Sequence, residues 1–251
     1  MERAWQWVAI GKHPVAKDFF RVGDAGSLAR EFSQWVDRGY QLLTVKKKGS
    51  LCSWRFWTRG PKKDALGCGV VRDCYDQLSR PYPLLILGTG SLPGWEDQWD
   101  LNPLACERTW TQMEYLFTKT FAGLTHLEEE IRKIPPPLGR WPDLRASRQS
   151  LLEAGGAASA LRDFREMERR LSPYRHASEV CIPLDQGLFP DPSQGIHYLH
   201  SFLRKEEAHI PQSSFMGGTL ENAFLAVFKR PLQPGDFVRL WSVSAPGEAK
   251  E

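Results

Sequence analysis

Long apolar runs are what this 251-residue chain most clearly lacks. The longest, Leu84-Leu85-Ile86-Leu87 and Ala223-Phe224-Leu225-Ala226-Val227-Phe228, fall far short of the roughly 20 residues that a membrane-spanning helix requires, and they read as buried strands. Glu2, Arg3, Lys12, Lys17 and Asp18 interrupt the N-terminal region, so no apolar core for a secretion signal is present there. Both absences lead to the expectation of a cytoplasmic protein without direct membrane insertion.

Cysteine is sparse and irregular. Cys52, Cys68, Cys74, Cys106 and Cys181 are odd in number and form no Cys-x-x-Cys pair, which excludes a regular disulfide framework and fits reduced thiols. His197 and His200 share a helical face without further ligand types nearby, so they read as ordinary helix-surface residues and no metal is expected. Charge of one sign is missing too: 33 Lys and Arg against 30 Asp and Glu give a net charge of +3. Without a sustained basic stripe, nucleic acid is not an expected partner. The short runs Lys46-Lys47-Lys48 and Lys62-Lys63 flank Gly49, Gly60 and Pro61 and read as solvated turns. An acidic patch on a partner is their other use.

Catalytic signatures are also absent. Gly88-Thr89-Gly90-Ser91-Leu92-Pro93-Gly94 leaves a strand as a phosphate loop would. However, Pro93 stands where a dinucleotide fingerprint has its third glycine, and Trp95 follows Gly94 where a P-loop has lysine. There is no Gly-x-Ser-x-Gly nucleophile elbow, although a Ser, His and Asp set assembled in space would leave no linear trace. The sequence therefore assigns no catalytic residue and no cofactor.

What is present is a well-stocked core. Hydrophobic residues make up 41% of the chain and aromatics 12%, with ten Trp and thirteen Phe, enough for a substantial core and for aromatic contacts on a groove or surface besides. Trp5 to Ile10 reads as a first strand stopped by Gly11 and Pro14. The spacing of Leu28, Phe32, Trp35, Val36, Gly39, Leu42 and Leu43 predicts a helix with Ser27 as its N-cap, burying Phe32, Trp35 and Leu42 and exposing Arg30, Asp37 and Arg38. Ser53 to Thr58, Leu66 to Cys74 and Tyr82 to Leu87 read as three successive strands. Helices are predicted over Leu104 to Phe121, Leu127 to Lys133, Ala157 to Leu171 and Ser201 to Glu207, and late strands over Asn222 to Phe228 and Phe237 to Trp241. This order predicts an α/β fold, a mixed β-sheet flanked by helices on both faces as an α/β/α sandwich. We expect a single domain over residues 1–242 with a Pro-rich connection near 134–143, and a flexible tail over 243–251.

Two segments carry the candidate site. Gly11-Lys12-His13-Pro14-Val15-Ala16-Lys17-Asp18-Phe19 places a lysine, a proline-fixed turn and an aspartate just after the first strand. Tyr75-Asp76-Gln77-Leu78-Ser79-Arg80-Pro81-Tyr82-Pro83-Leu84 places an aspartate and an arginine just before a buried strand. Lys12, Pro14, Asp18, Asp76 and Arg80 are the candidate binding residues. Opposite charges at two strand boundaries predict that Asp18, Asp76 and Arg80 converge, either to pin the loops together or to bind a ligand. An enzyme using these three, a hydrolase or a nucleotide-binding protein, is the competing reading.

These segments, with Trp35, Trp54-Arg55-Phe56 and Ser214-Phe215-Met216-Gly217-Gly218, resemble in order and spacing the motifs of the TagF (ImpM) accessory proteins of bacterial type VI secretion systems. The first segment is similar to a Gly-Lys-Leu-Pro-x-x-Gly-Asp-Phe motif and the second to an Asp-x-x-Gly-Arg-x-Phe-Pro-Leu block. Lys17 and Ser79 replace glycines of those patterns, and Met216-Gly217 stands where tryptophan is frequent. The resemblance implies a single α/β sandwich without catalysis. It also implies a post-translational repressor that contacts a forkhead-associated scaffold protein or another component at the inner-membrane secretion complex.

Overall fold

The computed structural model describes residues 4–43, 51–154, 169, 177–184, 191–206, 209–219 and 221–242. The run Lys46 to Lys48, the helix expected over Ala157 to Leu171 except for position 169, and the tail expected over 243–251 lie outside the described residues.

Alternation of buried side chains explains the sheet. Strands β1 (Gln6–Gly11), β2 (Phe20–Gly23), β3 (Ser53–Arg59), β4 (Ala65–Arg72), β5 (Leu84–Ser91), β6 (Glu179–Pro183), β7 (Ser213–Gly218) and β8 (Ala223–Phe228) form one sheet in the order β2-β1-β5-β4-β3-β7-β8-β6. Trp7 and Ala9, Trp57, Leu66, Cys68 and Val70, and Leu84 and Ile86 point into one core; Val8 and Ile10, Trp54 and Phe56, Val71, and Leu85 and Leu87 point into a second core on the opposite face. Both faces are apolar because both are covered, and this is why the strands read as nearly continuous hydrophobic runs.

Helices α1 (Gly26–Leu42) and α6 (Pro234–Ser242) cover one face, contributing Phe32, Trp35, Phe237 and Leu240. A 3-10 segment (Glu96–Leu101), α2 (Asn102–Thr118), α3 (Leu124–Arg132), α4 (Trp141–Ala154) and α5 (Pro192–Glu206) lie over the other. The α/β/α arrangement expected from the sequence is present, and every ladder among the described strands is antiparallel.

Several local expectations change. Phe237 to Trp241 is helical because Phe237 and Leu240 sit three apart facing the core, while Asp236 in the first turn accepts the Gln233 N–H at 2.7 Å. Helix α1 begins at Gly26 after Ala25, and Ser27 does not cap it; Asp24 takes the Gly26 N–H at 3.1 Å. Phe32 and Trp35 are buried as expected and Arg30, Asp37 and Arg38 are exposed. Leu42, by contrast, is 54% exposed because the last turn runs past the edge of the core. His197 and His200 face inward rather than outward, since α5 begins well before Ser201 and packs against the 3-10 segment. Gly88 and Gly90 remain within β5, where Trp7 and Trp5 stack over positions that lack a Cβ. The Pro-rich connection is strapped to α2: Leu138 donates to the Ala105 carbonyl at 3.0 Å, and Thr109 donates to the Pro135 carbonyl at 2.8 Å.

Candidate functional site

The two motif segments meet at one end of the sheet, where β1 ends and β5 begins. Pro14 occupies the second position of a turn closed by the Ala16 N–H on the His13 carbonyl at 2.9 Å, its ordinary place. His13 is buried under Phe121, and its Nδ1 accepts the Val15 N–H at 3.1 Å; burial holds its pKa below the usual value. The second loop folds back on itself, bringing Tyr75 opposite Pro81, and Ser79 adopts φ of 59°. The left-handed conformation that a glycine would supply is thus kept by a serine, at some conformational cost. Gly11 admits the close approach of the chain that enters β5: a Cβ there would lie 2.1 Å from the Pro83 carbonyl oxygen.

Asp76 is the centre of this hub. Its side chain is fully buried, and it accepts four hydrogen bonds. Oδ1 takes the Leu78 N–H at 2.9 Å and the Arg80 N–H at 3.0 Å; Oδ2 takes Arg80 Nε at 2.8 Å and Lys12 Nζ at 3.1 Å. Burial alone would raise the pKa of this carboxyl, but the Arg80 backbone N–H, Lys12, the Arg80 side chain and the Leu78 N–H outweigh it and hold the group well below the usual carboxylate range. Arg80 then reaches the first loop, with Nη2 donating to the Lys17 carbonyl at 2.7 Å and lying 3.1 Å from Asp18 Oδ2. Asp18 also accepts the Phe19 N–H at 2.7 Å, and this bond, then Arg80, lowers its pKa.

Asp18, Asp76 and Arg80 therefore converge, joined by Lys12, while Pro14 shapes the turn and remains exposed. Arg80 bridges two carboxylates instead of gripping one through both guanidinium nitrogens. Every acceptor position of Asp76 is used, so it is a poor general base. Around the hub stand Phe19, packed edge-on to Tyr82, with Tyr75 and Leu78; these three are 50%, 53% and 65% exposed. Sequence reasoning missed this rim because exposure of a single side chain leaves no periodic signal.

Other polar groups cluster elsewhere. Asp100 on the 3-10 segment pairs with Arg148 of α4 and Arg204 of α5. Beside it, His200 donates through Nδ1 to the Ile196 carbonyl, 2.8 Å away, and its Nε2 accepts from the Ser214 hydroxyl at 3.1 Å. Both partners are fully buried and the third member of this chain is a backbone carbonyl, so a reachable nucleophile is not formed. Among the described residues no group of three or more His, Cys, Asp or Glu could hold a metal ion, and no helix is long and apolar enough to cross a membrane. At the opposite end of the sheet an open cleft of about 850 Å³ is lined by residues including Arg59, Lys62, Lys63, Asp64, Glu96 and Asp97.

Fold and site define a three-layer α/β/α protein on an antiparallel sheet, with an ion-locked loop hub at one sheet end. In its fold the chain is similar to PA0076 of Pseudomonas aeruginosa PAO1, known from a crystal structure, with a TM-score of 0.53 and 16% identity over 99% of this chain and 97% of that one. No protein-family model and no curated protein matches the chain.

Proposed function

We propose that this protein is a non-catalytic regulatory component of a bacterial type VI secretion system. In this reading it is a cytoplasmic repressor that occupies a forkhead-associated scaffold or another component of the membrane complex, and is recruited there. The observation that carries the reading is the union of the two motif segments, whose residues Lys17 and Arg80 lie 63 positions apart, in one hub. The segments through which the chain resembles the TagF proteins act as one structural unit. The fold likeness to a Pseudomonas protein along nearly the whole chain is compatible with this reading.

The chemistry of the hub favours binding over turnover. Asp76 is saturated with donors, and the exposed neighbours are aromatic, leucine and arginine side chains, types suited to interface energetics.

The test is to delete the gene, restore it at graded levels, and follow secretion of a tube component together with co-precipitation of scaffold proteins. A titrating repressor derepresses secretion on deletion and suppresses it in proportion to its own amount. Suppression at trace amounts indicates an enzyme, and unchanged secretion on deletion overturns the regulatory reading.

A further inference from the structure

Five exposed large hydrophobic side chains gather towards the hub end, while Leu51, Leu124, Leu138 and Leu151 are exposed on other segments. Phe19, Tyr75 and Leu78 ring the hub, Leu42 closes α1 beside Tyr40, whose hydroxyl donates to the Pro81 carbonyl at 3.0 Å, and Tyr115 lies under Lys119 near Phe121. None of them lines the cleft at the other end. Single exposed apolar residues are ordinary, but a group of them around a fixed arginine has the composition of a contact surface.

The charges choose the partner. Arg80 spends Nε on Asp76 and Nη2 on the Lys17 carbonyl and Asp18, so Nη1 has no acceptor among the described residues. The Lys17 ammonium, on an exposed side chain, likewise has no ion partner among them. Lys12 and Arg80 are matched by Asp76 and Asp18, and Asp37 stands beside Tyr82 on the rim, so the positive character of this face is local, held at Arg80 Nη1 and Lys17. Asp76 and the Lys17 carbonyl already immobilise the guanidinium, so a carboxylate meeting it forfeits little side-chain freedom.

We infer that the hub end docks an acidic, apolar segment of a partner protein, with carboxylates at Arg80 Nη1 and Lys17 and apolar side chains on Phe19 and Leu78. This deepens the regulatory reading by naming the chemistry of the partner at the same site.

The test is fluorescence anisotropy of the full chain with a labelled short peptide alternating Asp and Glu with Leu and Trp. A control peptide carries Asn and Gln in place of the acids. Saturable binding of the acidic peptide is expected, weakened at least about tenfold in the control, in Leu78→Ser and in Lys17→Glu, and weakened by salt at about 0.5 M. Asp97→Asn in the far cleft leaves it unchanged. Equal binding of the control, insensitivity to both hub variants, or no binding overturns the inference. A dimer in sedimentation that Leu78→Ser dissociates assigns the surface to a second copy of this chain and overturns it as well. If gene deletion derepresses secretion while the acidic peptide is ignored, the docking chemistry fails and the regulatory reading stands; peptide capture without any deletion phenotype gives the reverse.

Discussion

At one end of the sheet, the loops after β1 and before β5 enclose a buried carboxylate shared by Lys12, Arg80 and two backbone N–H groups. At the other end, the turn between β3 and β4 and the segment after β5 frame an open cleft where Arg59, Lys62, Lys63 and Asp97 stand in solvent. Both ends are rich in charge. The hub differs because its central carboxylate, Asp76, is satisfied out of water by groups from two loops, which fixes those loops to one geometry, whereas the solvated Arg59, Lys62, Lys63 and Asp97 impose none. Charge count in a sequence is therefore a poor guide to where a protein is organised, and pairing under burial is a better one.

Four measurements break or sharpen this comparison. The reference lies between the ends, at Trp35, which packs on Phe32, Phe215 and Phe237 and donates Nε1 to the Gln233 carbonyl at 2.8 Å. Trp35→Ala is expected to cost about 3 to 5 kcal/mol in urea denaturation. A near-normal midpoint would move Trp35 from the core to a contact surface.

Removing the centre of the hub comes next. Asp76→Ala strands two cations and two N–H groups, and its melting temperature is expected to fall by about 5 to 10 °C. Asp97→Ala in the cleft is expected to leave it unchanged. Equal shifts at the two sites would erase the distinction between the ends.

Acid separates the hub from the histidine layer under α5. Burial holds the His197 pKa down to about 4, aided by Arg148, and burial likewise holds His200 down to about 4. The unfolded chain, with an ordinary histidine pKa near 6.5, takes up protons first as the pH falls. Stability is then intact above about pH 6.5 and drains towards pH 4, by about 3 kcal/mol for each histidine at the acid limit. The folded pKa of Asp76 is depressed, so its contribution is intact above the unfolded carboxyl value near 4 and is lost only in stronger acid. Amide exchange, corrected for intrinsic rates, should show α5, which carries two histidines held down to about 4, opening at a higher pH than the Leu78–Arg80 loop around Asp76, while the His13 turn, whose histidine burial also holds down, weakens in the same direction as α5. Simultaneous opening would contradict the assignment.

The smallest effects belong to the rim. Leu78→Ser and Lys17→Glu are expected to change stability by no more than about 0.5 kcal/mol, because both side chains already lie in solvent. A larger loss in chemical denaturation would make the rim part of the fold rather than a docking surface.

Much of the fold was legible. Strands β1, β3, β4, β5 and β8 carry dense β-forming and apolar residues bounded by Gly or Pro, and α1 and α2 carry apolar stripes at helical spacing. Helix α4 was not, because its exposed residues predominate and its main anchors are Trp141 and Leu144 at one end. Strand β2 is four residues long, too short for its alternation to register. Phe237 to Trp241 misled because aromatic and β-branched residues favour strands locally, while packing of Phe237 against Trp35 and Trp241 decided for a helix.

The sequence by itself determined that this chain has two covered sheet faces, cysteines without a disulfide framework and charged loops at strand boundaries, because periodicity, composition and Gly and Pro punctuation act locally. Only the tertiary structure decided that Asp76 takes Lys12 and Arg80 together, that Arg80 reaches Lys17 and Asp18 across the sheet end, and that Phe19 and Leu78 remain outside. Those outcomes depend on which strands become neighbours. The pairing of β1 with β5, between segments far apart in the chain, is set by the burial of both faces at once and not by either segment alone.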